Sequence, residues 1–322
     1  MEIASRNVPP NHLKLTLLMF VTAVAWLGGA AGCAPRTKME GEGLSLLGRT
    51  LRPLPAGKNT GAERDLAAAQ AAAAEAPRDL DRQIWLGRRY GYLWRMREAI
   101  EVFTQAVKDH PTDPRPLRHR GHRYISVREF NKAIADLDRA AQLFGNAPDQ
   151  VEPDGIPNVR NFPLTTTGFN IHYHLAMAHY LSGDYDAALV SWRNTAKYER
   201  GQADNRAAVA YWTYLTLRKL GRESEATAEI ATVLSSMTII ENHAYHRLAL
   251  YYKGELKRDE TLRPGDEDSP DFAALGYGIG IRDLLDGKRD EARAMFERVI
   301  ATDNWPAFGY IAAEVELVRE RK

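Results

Sequence analysis

Residues 80–113 read LDRQIWLGRRYGYLWRMREAIEVFTQAVKDHPTD, and this stretch decides the fold. Two small residues, Gly87 and Ala99, stand at a fixed spacing from the large side chain of Phe103. The spacing predicts two antiparallel helices that cross closely at the small residues, with the aromatic ring filling the space beside the crossing. Pro111 is expected to end the second helix, because its ring cannot continue a helical ladder.

The same pattern returns every 34 residues, which indicates a repeat protein. The fourth copy is divergent, because Tyr214 stands where a small residue is usual, and the last copy has Asp283 at a usually aromatic position. Between these two copies, residues 241–252 are predicted to form an amphipathic helix. The copies are predicted at about 80–113, 114–147, 169–202, 207–240 and 273–306.

The repeat resembles the tetratricopeptide (TPR) pattern of paired helices. The resemblance implies an all-α fold, a TPR-like α-solenoid of antiparallel helix pairs that spans residues 62–322. An alanine-rich helix over 62–75 is expected to cover the first repeat, and a capping C-terminal helix over 305–319 is expected to cover the last. Repeats at the end of an array need such caps because their outer faces would otherwise expose apolar surface.

The first 32 residues have the order of a signal peptide: basic residues, an apolar run over 15–27, and then small residues. The run is shorter than the roughly 20 residues that a spanning helix needs. Residues 30–33, Ala-Ala-Gly-Cys, resemble a bacterial lipobox, which implies cleavage after residue 32 and a lipid anchor on Cys33. An ordinary secretory signal with an accidental cysteine is the alternative.

By the same analogy, Ala34 implies an outer-membrane location facing the periplasm if the source has two membranes. Residues 33–61 are rich in glycine and proline, and are predicted to be a flexible tether.

The composition excludes several classes of function. The 322 residues carry 43 Lys and Arg against 42 Asp and Glu, so no global charge favours a nucleic-acid partner. The single cysteine excludes an intrachain disulfide and a multi-thiolate metal site. The histidine pairs lack a metalloprotease spacing. We therefore expect no metal, no cofactor and no catalytic residue.

In proteins of the TPR type the first helix of each pair lines a concave groove. The residues at those positions are basic or aromatic, which favours an acidic or C-terminal peptide as ligand, since arginine binds carboxylates by paired hydrogen bonds. The alternative is a solvated face with aromatic side chains packed between repeats. The predicted groove residues are Arg88, Tyr92, Arg115, Arg118, His119, His122, Asn170, Tyr173, His174, Met177, Tyr211, Trp212 and Arg218.

Residues 145–168 form an insertion between the second and third repeats that is much longer than an ordinary repeat connection. The insertion is a second candidate site, which would either cover the mouth of the groove or remain a floppy surface loop. Its candidate contact residues are Glu152, Asp154, Asn158, Arg160 and Asn161.

The lipobox together with these repeats resembles bacterial envelope TPR lipoproteins of the NlpI type. The resemblance implies a lipid-anchored adaptor or scaffold in the bacterial cell envelope that binds a partner protein or peptide. Two alternatives remain open: a hydrolytic enzyme that uses the insertion carboxylates Glu152 and Asp154, and a structural subunit of an envelope complex.

Overall fold

The computed structural model describes residues 41–321, so the predicted signal peptide and Cys33 lie outside the described residues. The described chain is all-α apart from one hairpin of strands β1 (Gly43–Leu44) and β2 (Thr50–Leu51). None of the helices within 41–321 has the length and apolarity that crossing a membrane requires. The helices are α1 Thr60–Glu75, α2 Leu80–Tyr92, α3 Met96–Asp109, α4 Pro114–Ser126, α5 Phe130–Phe144, α6 Thr167–Ser182, α7 Tyr185–Ala196, α8 Ala203–Lys219, α9 Glu223–Ile230, α10 His243–Lys253, α11 Arg258–Thr261, α12 Phe272–Leu285, α13 Arg289–Ala301 and α14 Phe308–Arg319.

The helices pack as consecutive antiparallel pairs. The pairs α2 with α3, α4 with α5, α6 with α7, α8 with α9, and α12 with α13 each contact their neighbours in chain order. The first helices of successive pairs also lie side by side, as α2, α4 and α6 do, while α10 lies between α8 and α12. The all-α solenoid predicted from the repeat is therefore confirmed.

The predicted exchange of small and large residues at the helix crossings is present in three pairs. A Cβ atom added to Gly87 would lie 2.4 Å from the Phe103 ring, and one added to Gly121 would lie 2.6 Å from Leu137. Gly280 and Phe296 repeat the relationship at 2.6 Å. The glycines allow α2, α4 and α12 to approach their partner helices until the large side chains fill the gap.

Polar caps define where several helices begin. The side chains of Asp79, Asp113, Thr166 and Asp184 each accept a hydrogen bond from a backbone N–H in the first turn of the following helix. Such caps satisfy donors that have no partner within the helix. Pro114 occupies the first turn of α4, where its missing N–H is not needed.

The C-terminal helix does more than cover the end of the array. Helix α14 packs against α12 and α13, as expected of a cap, but it also contacts α6 on the side of the first helices. The Phe308 ring at its start lies 5.5 Å from the ring of His122 and 5.8 Å from that of His174. A hydrogen bond of 2.6 Å also joins the hydroxyls of Tyr180 in α6 and Tyr277 in α12. The solenoid thus fills much of its own concave side.

The prediction of a flexible tether is wrong for residues 41–61. Leu51 is buried in the main core, and Glu42 accepts a hydrogen bond of 2.6 Å from the backbone N–H of Arg97. Trp305 Nε1 donates to the carbonyl of Arg52 at 2.8 Å, which fastens the hairpin to the C-terminal part of the chain. Gly48 and Gly57 lie in turns with positive φ, and α1 already begins at Thr60.

The two irregular repeats have local explanations. Tyr214, at the small-residue position of the fourth repeat, stacks on Tyr252 of α10 with ring centroids 4.8 Å apart, and the partner helix α9 ends early, at Ile230. Asp283, at the aromatic position of the last repeat, is buried and pairs with Arg258 of α11 at 2.7 Å. The segment between α10 and α12 contains the short helix α11, whose Arg258 neutralises Asp283.

Candidate protein-binding surface

The structure buries the aromatic part of the predicted groove. Met177, Tyr211 and Trp212 are at most 1 % exposed. The Trp212 ring lies between the stacked rings of Trp192 and Tyr277, in the core that α8 shares with its neighbours. The prediction that these three residues contact a peptide is wrong, because all three are buried, and side chains of α10 and α12 pack against Tyr211 and Trp212.

Tyr173 is also buried by neighbours that the repeat pattern does not reveal. Its ring packs edge to face on Trp192 at 5.1 Å and lies 6.3 Å from Phe308. The structure therefore places Tyr173 between the third repeat and the C-terminal helix, away from any open surface.

Two predicted arginines lie at the edges of the array with partners of their own. Arg115 forms ion pairs with Asp113 at 2.9 Å and with Asp81 of the preceding repeat at 2.8 Å. Arg218 lies 2.9 Å from Glu223 and donates to the hydroxyl of Tyr214 at 2.7 Å. Arg218 is thus held at the end of α8, whereas Arg115 lines the cavity beside the insertion.

The remaining basic residues of the groove meet beneath the insertion. Arg118 Nη1 donates to His119 Nδ1 at 2.8 Å, and the ring of His122 packs against that of His174 with centroids 4.2 Å apart. Arg123, which the sequence analysis did not single out, joins them. We call these side chains the arginine–histidine cluster: Arg88, Arg118, His119, His122, Arg123 and His174.

The geometry identifies the protonation state of the cluster. Arg118 donates to Nδ1 of His119, and Arg123 donates to Nδ1 of His122 at 2.7 Å, so both rings must accept there and are neutral. Burial holds the pKa of His119, His122 and His174 well below its ordinary value, and the nearby arginines lower it further. Burial also lowers the pKa of Arg123 to about 10. The charge of the cluster therefore resides on its arginines.

The insertion lies directly over this cluster, which is one of the two alternatives that the sequence leaves open. Glu152 Oε1 is 3.0 Å from Arg118 Nη2, and Asn170 donates to Glu152 Oε2 at 3.1 Å. Two arginines of α2 donate to main-chain carbonyls of the same segment, Arg88 to Pro153 at 2.7 Å and Arg89 to Gly155 at 3.1 Å. The insertion is thus fastened by charge-assisted hydrogen bonds.

The tip of the insertion is shaped by Asn158. Its side-chain oxygen accepts hydrogen bonds from the backbone N–H groups of Arg160 and Phe162, and its amide nitrogen donates to Glu241. Asn161 takes a positive φ of 49°, which asparagine tolerates better than most residues. Asn158, Arg160 and Asn161 therefore shape the tip of the insertion and form no hydrogen bond with the arginine–histidine cluster within residues 41–321.

Asp154 lies between the tip and the cluster. One of its carboxylate oxygens is buried without a hydrogen-bond partner among the described residues, and burial raises its pKa. Glu152, its neighbour in the enzyme alternative, is engaged by Arg118 and Asn170. The part of the chain that the structure describes contains no group of three or more His, Cys, Asp or Glu side chains arranged to hold a metal.

The insertion also carries exposed apolar side chains, which the repeat pattern does not reveal. It carries four of the eight large apolar side chains exposed within residues 41–321. We call these four the apolar tip: Val151 (46 % exposed), Ile156 (72 %), Val159 (94 %) and Phe162 (48 %). Beside it, a cavity of about 270 Å³ opens between the insertion and α2, lined in part by Ile84, Trp85 and Arg115. An exposed apolar group on an ordered segment is typical of a protein-binding surface.

One sequence signal could have revealed the filled groove. Position 15 of each repeat is a turn with positive φ, occupied by Gly183, Gly221 and Gly287 in the last three copies. The first two copies have Trp94 and Arg128 at this position instead, also with positive φ. Both side chains contact Trp305 next to the C-terminal helix, so their departure from glycine marks a tertiary contact.

The helix pairs and their small-to-large crossings define a TPR-like helical-repeat protein. No protein-family model matches the chain, and no curated protein matches it.

Three solved structures illustrate what the chain is similar to. MamA protein is 15% identical, with 62% of this chain and 88% of that one covered and a TM-score of 0.42. YrrB, described as a TPR protein with an unusual peptide-binding site, is 14% identical, with 80% and 100% covered and a TM-score of 0.40. A tetratricopeptide repeat protein from Parabacteroides merdae ATCC 43184 is 12% identical, with 76% and 73% covered and a TM-score of 0.44.

Proposed function

We propose that this protein is an adaptor that binds a partner protein through the apolar tip of its insertion. One observation carries the proposal: Ile156, Val159 and Phe162 are exposed on a segment that is held in place by hydrogen bonds. An ordered tip loses little conformational entropy when it binds, which removes one of the costs of association. At about 25 cal/mol per Å², the burial of even a few such side chains contributes several kcal/mol.

The place of action is proposed from the sequence. Ala30 to Cys33 has the order of a lipobox, so we propose that Cys33 carries a lipid and that the protein works at the bacterial envelope, at the outer membrane facing the periplasm where the source has two membranes. The packed body begins by residue 41, so residues 33–40 separate it from the proposed anchor. Its partner would then be bound close to the membrane.

Site-specific photo-crosslinking tests the proposed docking surface. A crosslinkable amino acid at Val159 should capture one partner in stoichiometric amounts from intact envelopes. The same amino acid at Val190, an exposed valine on α7 outside the insertion, should capture none. Capture at both positions or at neither would remove the support for docking at the apolar tip.

A matched substitution extends the test. Phe162→Ser should abolish capture at Val159 without changing helicity or thermal stability, because exposed apolar side chains contribute little to folding. Leu234→Ser, at an exposed leucine elsewhere in the array, should leave capture unchanged.

A further inference from the structure

The arginine–histidine cluster carries more positive charge than the chain neutralises. Among residues 41–321, Glu152 is the one carboxylate that forms an ion pair with any of its three arginines. Arg118 is 93 % buried, and its Nε has no hydrogen-bond partner within the described residues. Arg123 directs its guanidinium to the sulfur of Met96 and to a neutral ring nitrogen of His122. Buried cations of this kind favour an anionic ligand.

The insertion contacts the cluster as a bound peptide would. The carboxylate of Glu152 sits on Arg118 and Asn170, while the carbonyls of Pro153 and Gly155 accept from arginines of α2. Thus side chains of the groove bind one acidic side chain and two main-chain carbonyls of the insertion. This combination of contacts recognises an extended acidic segment rather than a folded surface.

Gly155 also fits closely against the surface of the groove. A Cβ atom at this position would lie 1.5 Å from the hydroxyl oxygen of Tyr92. The backbone of the insertion therefore lies directly on the tyrosine, whose hydroxyl also accepts a hydrogen bond of 3.2 Å from Arg88. A side chain at residue 155 would push the segment away from the groove.

We propose that residues 151–155 are an intrachain pseudo-ligand, and that the surface beneath them binds an extended acidic segment of a partner protein once the insertion moves away. This inference rests on the proposed function, because it assumes a protein partner. It also names the chemistry of that partner: a glutamate for Arg118 and Asn170, followed closely by a small residue that can lie on Tyr92.

The pseudo-ligand would control access by mass action. A segment tethered beside its site has an effective concentration in the millimolar range. A free peptide of the same chemistry at micromolar concentration would therefore not displace it. A single change that weakens the tethered copy should admit the free one.

The probe for this inference is a synthetic peptide with the sequence of residues 148–156, PDQVEPDGI, with both ends blocked and a fluorescent label. Binding to the full chain is measured by anisotropy. We expect Glu152→Gln to increase affinity at least about tenfold over wild type, because it weakens only the tethered copy. The matched variant Glu297→Gln removes the same charge from the exposed side of α13, outside the insertion, and should leave affinity at the wild-type level.

Two further arms make the result decisive. A peptide with glutamine in place of its glutamate should lose the gain, and Gly155→Ala should open the site by a route that leaves all charges in place. Equal affinity of wild type, Glu152→Gln and Gly155→Ala for the probe, in variants with wild-type circular dichroism, would overturn the pseudo-ligand.

The outcome is separable from that of the proposed docking surface. Crosslinks at Val159 without peptide binding would refute the pseudo-ligand alone. Peptide binding without crosslinks at Val159 would refute the apolar tip as the docking surface and support an acidic partner bound in the groove.

Discussion

Arg128 Nη2 lies 2.9 Å from Glu314 Oε2, and both side chains are almost completely buried although 186 positions separate them in the chain. Arg128 belongs to the turn between α4 and α5, and Glu314 to α14. The same guanidinium donates to the carbonyl of Trp305 at 3.0 Å. One side chain thus joins the second repeat to the C-terminal helix and holds that helix on the concave side of the solenoid.

The backbone conformation of Arg128 is unfavourable, and its ion pair with Glu314 offsets that cost. Its φ of 63° and the φ of 59° at Trp94 lie in the left-handed region, which costs non-glycine residues about 1–2 kcal/mol. The Trp94 ring packs edge to face on Trp305 at 5.8 Å. Both residues contact the C-terminal segment. These long-range contacts hold the two residues in the unfavourable left-handed conformation.

Arg128→Ala should destabilise the protein by about 3–5 kcal/mol, because it leaves the buried carboxylate of Glu314 without its partner. Chemical unfolding followed by circular dichroism measures the loss. Arg222→Ala, which breaks an exposed ion pair with Glu225, is the matched control and should have a much smaller effect, because solvent screens exposed ion pairs. Equal effects of the two variants would contradict the proposed role of the buried pair.

Gly87→Ala should lower the free energy of unfolding by about 1–3 kcal/mol, because the new methyl group would overlap the Phe103 ring. The control is Gly61→Ala in α1, where the nearest atom is 3.7 Å away and alanine should be neutral or stabilise by up to about 1 kcal/mol. The double variant with Phe103→Leu should recover part of the loss. A neutral Gly87→Ala would mean that the helices do not cross as closely as described.

Acid should destabilise the fold through the buried histidines. His119, His122 and His174 have pKa values well below the ordinary 6.5 when folded and regain that value on unfolding. The unfolded chain therefore binds more protons below pH 6.5, and stability is full above this pH and falls as the pH is lowered. Each histidine that stays neutral contributes a slope of about 1.4 kcal/mol per pH unit in that window.

Urea unfolding between pH 7.5 and 5.5 tests this slope. His174→Gln should reduce the dependence on pH, whereas Gln142→Ala, at an exposed side chain that does not titrate, should not change it. A slope that is the same in wild type and His174→Gln would show that His174 binds protons equally in the folded and unfolded chains, and would contradict its lowered pKa.

Cys33→Ser should abolish incorporation of labelled fatty acid and release the protein from the membrane fraction, because the thiol is the proposed attachment point. Circular dichroism of the packed body should not change, since the packing described here begins at residue 41. Persistent partitioning of the variant into the detergent phase would contradict the proposed lipid anchor. Secretion of the wild-type chain in soluble form would favour the ordinary signal peptide.

The repeat units could be predicted from the sequence because their determinants are local. Gly87 and Phe103 lie 16 positions apart, within one helix pair, and their sizes alone specify a close crossing. Caps such as Asp113 act within a single turn. The helix pairs, their order and their approximate bounds follow from such short-range pairs, and the insertion was recognised because it interrupts the period.

The open groove was predicted wrongly because its openness is not a local property. Trp212 and Met177 occupy groove positions in the repeat, yet both are buried, and Trp212 is covered by Tyr245 of α10 and Tyr277 of α12. Phe308 likewise packs against His122, and the insertion lies over Arg118. The sequence by itself determined the repeating helix pairs, whereas only the tertiary structure decided which of their faces remain exposed, since exposure depends on contacts between residues far apart in the chain.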